Sequence, residues 1–213
     1  MNPDTFIVFI VDDDARMREA LTELLEAVGW RAAAFGSAGE YLSFPRPSLP
    51  ACLILDVELP DINGLDFQKQ ISDGGHPPIV FLTGHGDIPS SVRAIKHGAV
   101  DFLTKPFTEQ SLLAAIRSAI ERDRLAREER AEIETLEQRL ASLTPRERDV
   151  LPLVVSGLLN KQAAAELGIS EVTLQIHRSK IMQKMEAASL ADLVRFAGKL
   201  RIPVTHSRRT GNT

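Results

Sequence analysis

The 213-residue sequence holds a single cysteine, Cys52, so no disulfide can form within the chain and a reducing compartment suits it. Followed by Leu53, Ile54 and Leu55, Cys52 reads as a small buried hydrophobe rather than a nucleophile. Long hydrophobic runs are missing too: none approaches the roughly 20 residues that a bilayer-spanning helix needs. The beginning has no basic n-region, and its apolar run at 6–11 is stopped at once by Asp12, Asp13 and Asp14, so no signal peptide is expected. These absences point to a cytoplasmic protein with no membrane partner.

What is present is an ordinary core and an uneven charge. Hydrophobic residues make up 44% of the chain, enough for one large domain or two small ones to pack. The net charge of −4 conceals an asymmetry. Residues 1–120 carry 9 Lys+Arg against 16 Asp+Glu, residues 121–142 carry 5 against 7, and residues 143–213 carry 11 against 6. An acidic front and a basic back imply different partners, the back suiting a polyanion.

Over residues 1–120, five short apolar runs (6–11, 31–35, 53–55, 79–82 and 100–103) alternate with helical patterns (16–28, 38–44, 65–72, 89–97 and 109–120), and Gly29, Gly64 and Gly98 fall at helix boundaries. Five βα units imply a parallel sheet with helices on both faces, because parallel strands need crossover connections. The runs lack alternation, as strands buried on both faces do. Over residues 121–139, 12 of 19 residues are charged, with no Gly or Pro, which predicts a helical linker at 121–142 continuing the last of these helices. Ile133, Leu136, Leu140 and Leu143 make a short heptad-like stripe there, open to two readings: a solvated spacer or a coiled-coil dimer seam.

Thr144-Pro145-Arg146-Glu147 restarts the chain with a capping signal, since Thr144 can cap, Pro145 suits the first helical position and Glu147 can reach back to the cap. Helical patterns follow at 145–156, 161–167, 171–185 and 190–200, with Gly157 and Gly168 at turns and Ser170 and Ser189 as N-caps. They predict an all-helical domain over 143–202 and a polar tail over 203–213.

Polar residues end the apolar runs of the front half: Asp12, Asp13 and Asp14 the first, Asp56 the third and Thr83 the fourth, with Lys105 just after the fifth. In an open α/β sheet ligands bind at the carboxyl edge, so folding gathers three of these carboxylates, a hydroxyl and an ammonium in one cleft. Clustered carboxylates repel unless a cation joins them, and hard oxygen donors suit Mg2+. Such a site can transfer a phosphoryl group to a carboxylate, with Lys105 pairing its oxygens and Thr83 donating a hydrogen bond. The same carboxylates would serve a metal-dependent phosphatase, but the basic back half and the lack of a substrate-domain insertion argue against that.

These motifs carry a resemblance. Val11-Asp12-Asp13-Asp14, Asp56-Val57-Glu58-Leu59-Pro60-Asp61-Ile62-Asn63-Gly64, Thr83-Gly84-His85-Gly86 and Lys105-Pro106-Phe107 resemble, in order and spacing, a receiver domain: a flavodoxin-like α/β fold with a five-stranded parallel sheet of order 2-1-3-4-5. The resemblance implies that Asp56 is the phosphoacceptor. It implies Mg2+ bound by Asp13, Asp56 and the backbone carbonyl of Glu58, with Asp12 assisting. It also implies that Thr83 and Lys105 hold the phosphate, that Phe102 is the switch aromatic and that the Lys105–Pro106 bond is cis. The run from Thr83 to Pro89 is similar to the FixJ branch. His85 and His97 read as loop or surface histidines, the phosphodonor histidine belonging to a separate sensor kinase.

In the back half, residues 160–174 read as helix, Gly turn and capped second helix. Leu174, Ile181 and Met185 make the buried stripe of that second helix, leaving Glu171, Gln175, Arg178, Ser179 and Met182 opposite. A helix-turn-helix lays its second helix in the major groove, and Lys161, Arg178, Lys180 and Lys184 are candidates for phosphate contacts. Leu143-Thr144-Pro145-Arg146-Glu147, then Gly157-Leu158-Leu159-Asn160-Lys161, then His177-Arg178-Ser179-Lys180 resemble a LuxR-type DNA-binding domain. With the receiver this is the pattern of the NarL/FixJ response regulators. The resemblance implies Gln175, Ile176 and Ser179 near the bases, Thr173 in the DNA-binding set and His177 packed inside. It implies a chain that is not an enzyme beyond self-phosphorylation and autodephosphorylation. The implied partners are a sensor histidine kinase, double-stranded promoter DNA, RNA polymerase and a second copy when phosphorylated. One departure stands out: a lysine is usual where this sequence has Gln175, which can pair bidentately with adenine but lacks the charge.

Overall fold

The computed structural model describes residues 6–71, 75–84 and 88–203. Its first part runs β1 (Ile7–Val11), α1 (Ala15–Ala27), β2 (Ala32–Phe35), α2 (Ala38–Ser43), β3 (Ala51–Asp56), α3 (Gly64–Ile71), β4 (Ile79–Thr83), α4 (Ile88–Lys96), β5 (Asp101–Thr104) and α5 (Glu109–Ala141). All strand pairs are parallel, in the order β2-β1-β3-β4-β5 expected from the motifs.

Every residue of β1, β3 and β4 is buried, which explains runs without polar alternation. Successive side chains still leave on opposite faces. Phe9, Leu53, Leu55 and Phe81 join Tyr41, Phe67 and Ala94 of α2, α3 and α4 on one face. Val8, Ile10, Cys52, Ile54 and Val80 join Leu21, Leu25, Leu112 and Ile116 of α1 and α5 on the other. Cys52 is fully buried, and burial pushes its thiol up out of the reactive range, as its apolar neighbours suggest.

The C-terminal part consists of α6 (Pro145–Val155), α7 (Asn160–Leu167), α8 (Glu171–Lys184) and α9 (Leu190–Lys199). Thr144 and Glu147 form the expected capping box, Ser170 and Ser189 cap α8 and α9, and Gly168 ends α7 at φ 65°. A Cβ there would strain the backbone, which is why the turn between the two helices carries glycine.

The chain divides into two compact units, Met1–Glu128 and Glu129–Thr213, and the divide falls inside the single 33-residue helix α5. The stretch expected as a linker therefore belongs to both units. The apolar edge of that stretch is packed: Leu136 (1% exposed) and Leu143 (3%) are buried in the C-terminal core with Leu140 packed against it. Ile133, at the start of the stripe, is half-buried. His85 and the tail from residue 204 lie outside the described residues.

Candidate phosphoacceptor pocket and nucleic-acid interface

Register brings the acidic residues together. Val11 pairs with Leu55 across β1 and β3, so Asp12, one step beyond β1, lies beside Asp56 at the end of β3. Thr83 pairs with Thr104 across β4 and β5, and the Lys105 N–H donates to the Thr83 carbonyl at 2.7 Å. The Lys105 ammonium donates to Asp12 Oδ2 and to Asp56 Oδ2, both at 2.8 Å. Asp12, Asp56 and Thr83 are buried, while Asp13 is exposed. The Lys105–Pro106 bond is cis, as the resemblance implies. Phe102 is half-buried, its ring 6.0 Å from that of Phe81.

Burial raises the Asp12 carboxyl above the ordinary aspartate range despite the hydrogen bond from Lys105, and the Asp56 charge adds to the rise. For Lys105, burial opposes the charged form, but the hydrogen bonds and attraction of both carboxylates outweigh it and hold the ammonium above the ordinary lysine value. Carboxylate oxygens of Asp12, Asp13 and Asp56 lie within 4.8 Å of one another. Three hard oxygen donors gathered so closely, with one ammonium against them, fit a small divalent cation.

The role of Arg18, and the reason that Gly64 must be glycine, were not read from sequence. Arg18 Nη1 donates to the carbonyls of Asp12 (2.7 Å) and Asp13 (2.9 Å), stapling the acidic loop to α1. Its only signal is an arginine one turn into the helix after the aspartate run. Gly64 is needed for space: a Cβ there would lie 2.3 Å from the Asp56 carbonyl oxygen. The side chain of Asp56 also accepts from the Glu58 N–H at 3.1 Å, which fixes the loop after β3.

In the C-terminal unit, Leu174, Ile181 and Met185 are buried and α8 exposes Glu171, Val172, Gln175, Ile176, Ser179, Lys180 and Gln183. Glu171, Gln175 and Ser179 lie on the exposed face as expected, and two residues depart from it. Met182 packs against the core, and Arg178 is half-buried with Nη1 donating to Asn160 Oδ1 at 3.2 Å. Lys184, expected at a DNA phosphate, has its ammonium 2.7 Å from Glu147 Oε2 and 3.2 Å from the Ser142 carbonyl. A buried carboxylate needs a partner, and α8 supplies it at the cost of a free cation. Lys161 and Lys180 are exposed, Thr173 is half-buried with its hydroxyl on Ser170 at 2.8 Å, and His177 is half-buried. His97 is exposed, as expected.

Known proteins match both units. A family model described as the response regulator receiver domain matches residues 8–117, and one described as bacterial regulatory proteins of the luxR family matches residues 141–197. Nodulation protein W of Bradyrhizobium diazoefficiens is 50% identical, covering 96% of this chain and 90% of its own. The transcriptional regulatory protein FixJ of Azorhizobium caulinodans is 42% identical, over 92% of this chain and 93% of its own. A solved structure of the response regulator StyR is 46% identical with a TM-score of 0.78, over 92% of this chain and 99% of that one. The chain belongs to the NarL/FixJ family of response regulators.

As a response regulator it joins a receiver to a LuxR-type DNA-binding domain, in a family that controls gene expression. A receiver implies a histidine kinase as partner, and a LuxR-type domain implies DNA. No helix among the described residues of the regulator is long and apolar enough to cross a membrane.

Proposed function

We propose that Asp56 is the phosphoacceptor of this regulator, and that phosphorylation controls DNA binding by α8. The observation that carries the reading is the Lys105 ammonium held 2.8 Å from both Asp12 and Asp56, beside the buried Thr83. Asp12, Asp13, Asp56 and the Glu58 carbonyl would hold Mg2+, which when bound neutralises the phosphoryl oxygens during transfer. An Asp56 carboxylate oxygen forms the new bond to phosphorus, the bond from phosphorus to the kinase histidine breaks, and the leaving imidazole nitrogen keeps its electron pair. Lys105 then pairs with the transferred group, Thr83 donates to it, and Phe102 follows Thr83 inward. Small donors such as acetyl phosphate serve in place of the kinase.

With Mg2+ and acetyl phosphate, the protein should gain one acid-stable, base-labile phosphoryl group that Asp56→Asn abolishes. Undiminished labelling of that variant would sink the assignment.

The added charge, about −1.5 to −2, is proposed to make the surface of α4, β5 and the first turns of α5 pair between two chains. Beryllofluoride should then double the sedimenting mass, and an unchanged mass at micromolar concentration would rule out the homodimer. On promoter DNA, Lys161 and Lys180 are proposed to neutralise phosphates while Gln175, Ile176 and Ser179 face bases. RNA polymerase is the proposed last partner, checked by promoter-dependent transcription with the purified enzyme.

A further inference from the structure

Two β-branched apolar side chains stand in solvent on the exposed face of α8: Val172 is 69% exposed and Ile176 51%. Single exposed hydrophobes are common on protein surfaces. These two differ in being one turn apart on the same face as Gln175 and Ser179. The same face is poor in cations. Arg178 is half-buried on Asn160, so the first exposed cation along α8 is Lys180. Guanine is read most often by an arginine or lysine bidentate to O6 and N7, and the first two turns of α8 expose neither. They expose an amide suited to adenine and two methyl-bearing side chains suited to the C5-methyl of thymine, beside one carboxylate, Glu171, at the first helical position, the group suited to cytosine.

We propose that Val172 and Ile176 read thymine methyl groups, and that this regulator makes no guanine contact from the first two turns of α8. The inference rests on the reading that α8 lies in the major groove and deepens it by naming the bases. Val172 thereby becomes a specificity-determining residue in addition to Gln175, Ile176 and Ser179. Four helical residues rise about 6 Å, close to two base steps of 3.4 Å, so the two thymines lie about two steps apart.

The test is selection of sites from a random duplex library by the full-length protein with beryllofluoride. Each thymine of the selected site is then replaced by deoxyuridine, which removes only the methyl. Wild type should lose about fourfold in affinity at each of two positions, the worth of one buried methyl-sized group. Val172→Ala should be indifferent to the substitution at one of them and Ile176→Ala at the other. Because both side chains are exposed, neither variant should change the thermal unfolding profile. Full affinity for every deoxyuridine site would overturn the proposal, as would losses in Val172→Ala that are equal on thymine and deoxyuridine. Selection of no motif at all by the wild type would overturn the major-groove reading itself. A guanine-centred motif left unchanged by Val172→Ala would overturn only the thymine reading.

Discussion

Replacing Lys184 with methionine separates two roles that its position in a basic helix would allow. The ammonium sits 2.7 Å from the Glu147 carboxylate, whose side chain is 3% exposed, while the lysine itself is 33% exposed. Stranding a buried charge costs about 3–5 kcal/mol. Here Glu147 keeps its hydrogen bond from the Thr144 N–H at 2.9 Å and water can reach the lysine's place, so the expected loss is nearer ~2 kcal/mol. For a unit the size of residues 129–213 that lowers the melting temperature by roughly 8–16 °C. Calorimetry of the full-length protein reads it directly.

The pH dependence should move as well. Hydrogen bonding from Lys184, with Thr144 assisting against burial, holds the Glu147 carboxyl at about 2, below its ordinary 4.5. A depressed carboxyl contributes stability that is complete above 4.5 and lost as pH falls toward 2. Lys184→Met should shrink that acid-labile part, and Glu147→Gln in the same chain should restore some of the lost stability. Lys161→Ala, at an exposed position, should show the opposite signature: unchanged melting and a salt slope of DNA binding smaller by about one unit. If Lys184→Met instead melts with the wild type and loses that unit of slope, its ammonium serves DNA and the argument from Glu147 is wrong.

Two further outcomes follow from the receiver. Gly64→Ala should cost about 1–3 kcal/mol and slow acetyl phosphate labelling of Asp56 at least tenfold, because the new Cβ meets the Asp56 carbonyl oxygen at 2.3 Å; wild-type labelling kinetics would refute the steric argument. His76 accepts from Arg46 Nη1 at 2.6 Å, and burial followed by the Arg46 charge lowers it from 6.5 to about 4, so its stabilising neutral form should be complete above 6.5 and lost as pH falls through about 4; an NMR midpoint near 6.5 would contradict this.

Much of the chain was legible because its signals are local or periodic. Strands buried on both faces must be apolar throughout, so β1, β3 and β4 announce themselves. A polar residue that interrupts such a run sits at a strand end, where parallel order puts Asp12, Asp56, Thr83 and Lys105 on one edge. Caps such as Thr144, Ser170 and Ser189 act within three residues and need no tertiary partner.

Long-range pairing was the part that sequence could not carry. Asp123 looks like one charge among many in α5, yet it is buried, accepts the Ala51 N–H at 2.9 Å and pairs with Arg127, which joins the helix to the start of β3. Whether the stripe at Leu136 and Leu143 faced water, a second chain or its own domain depended on what packed against it, and α6 to α9 supply that surface. Lys184 reads from sequence as one more cation of a basic helix, and only folding brings a buried carboxylate from 37 residues away beside it. Period and composition determine which face of a helix can be buried, but only the tertiary structure decides which charges on the other face remain free to meet a partner.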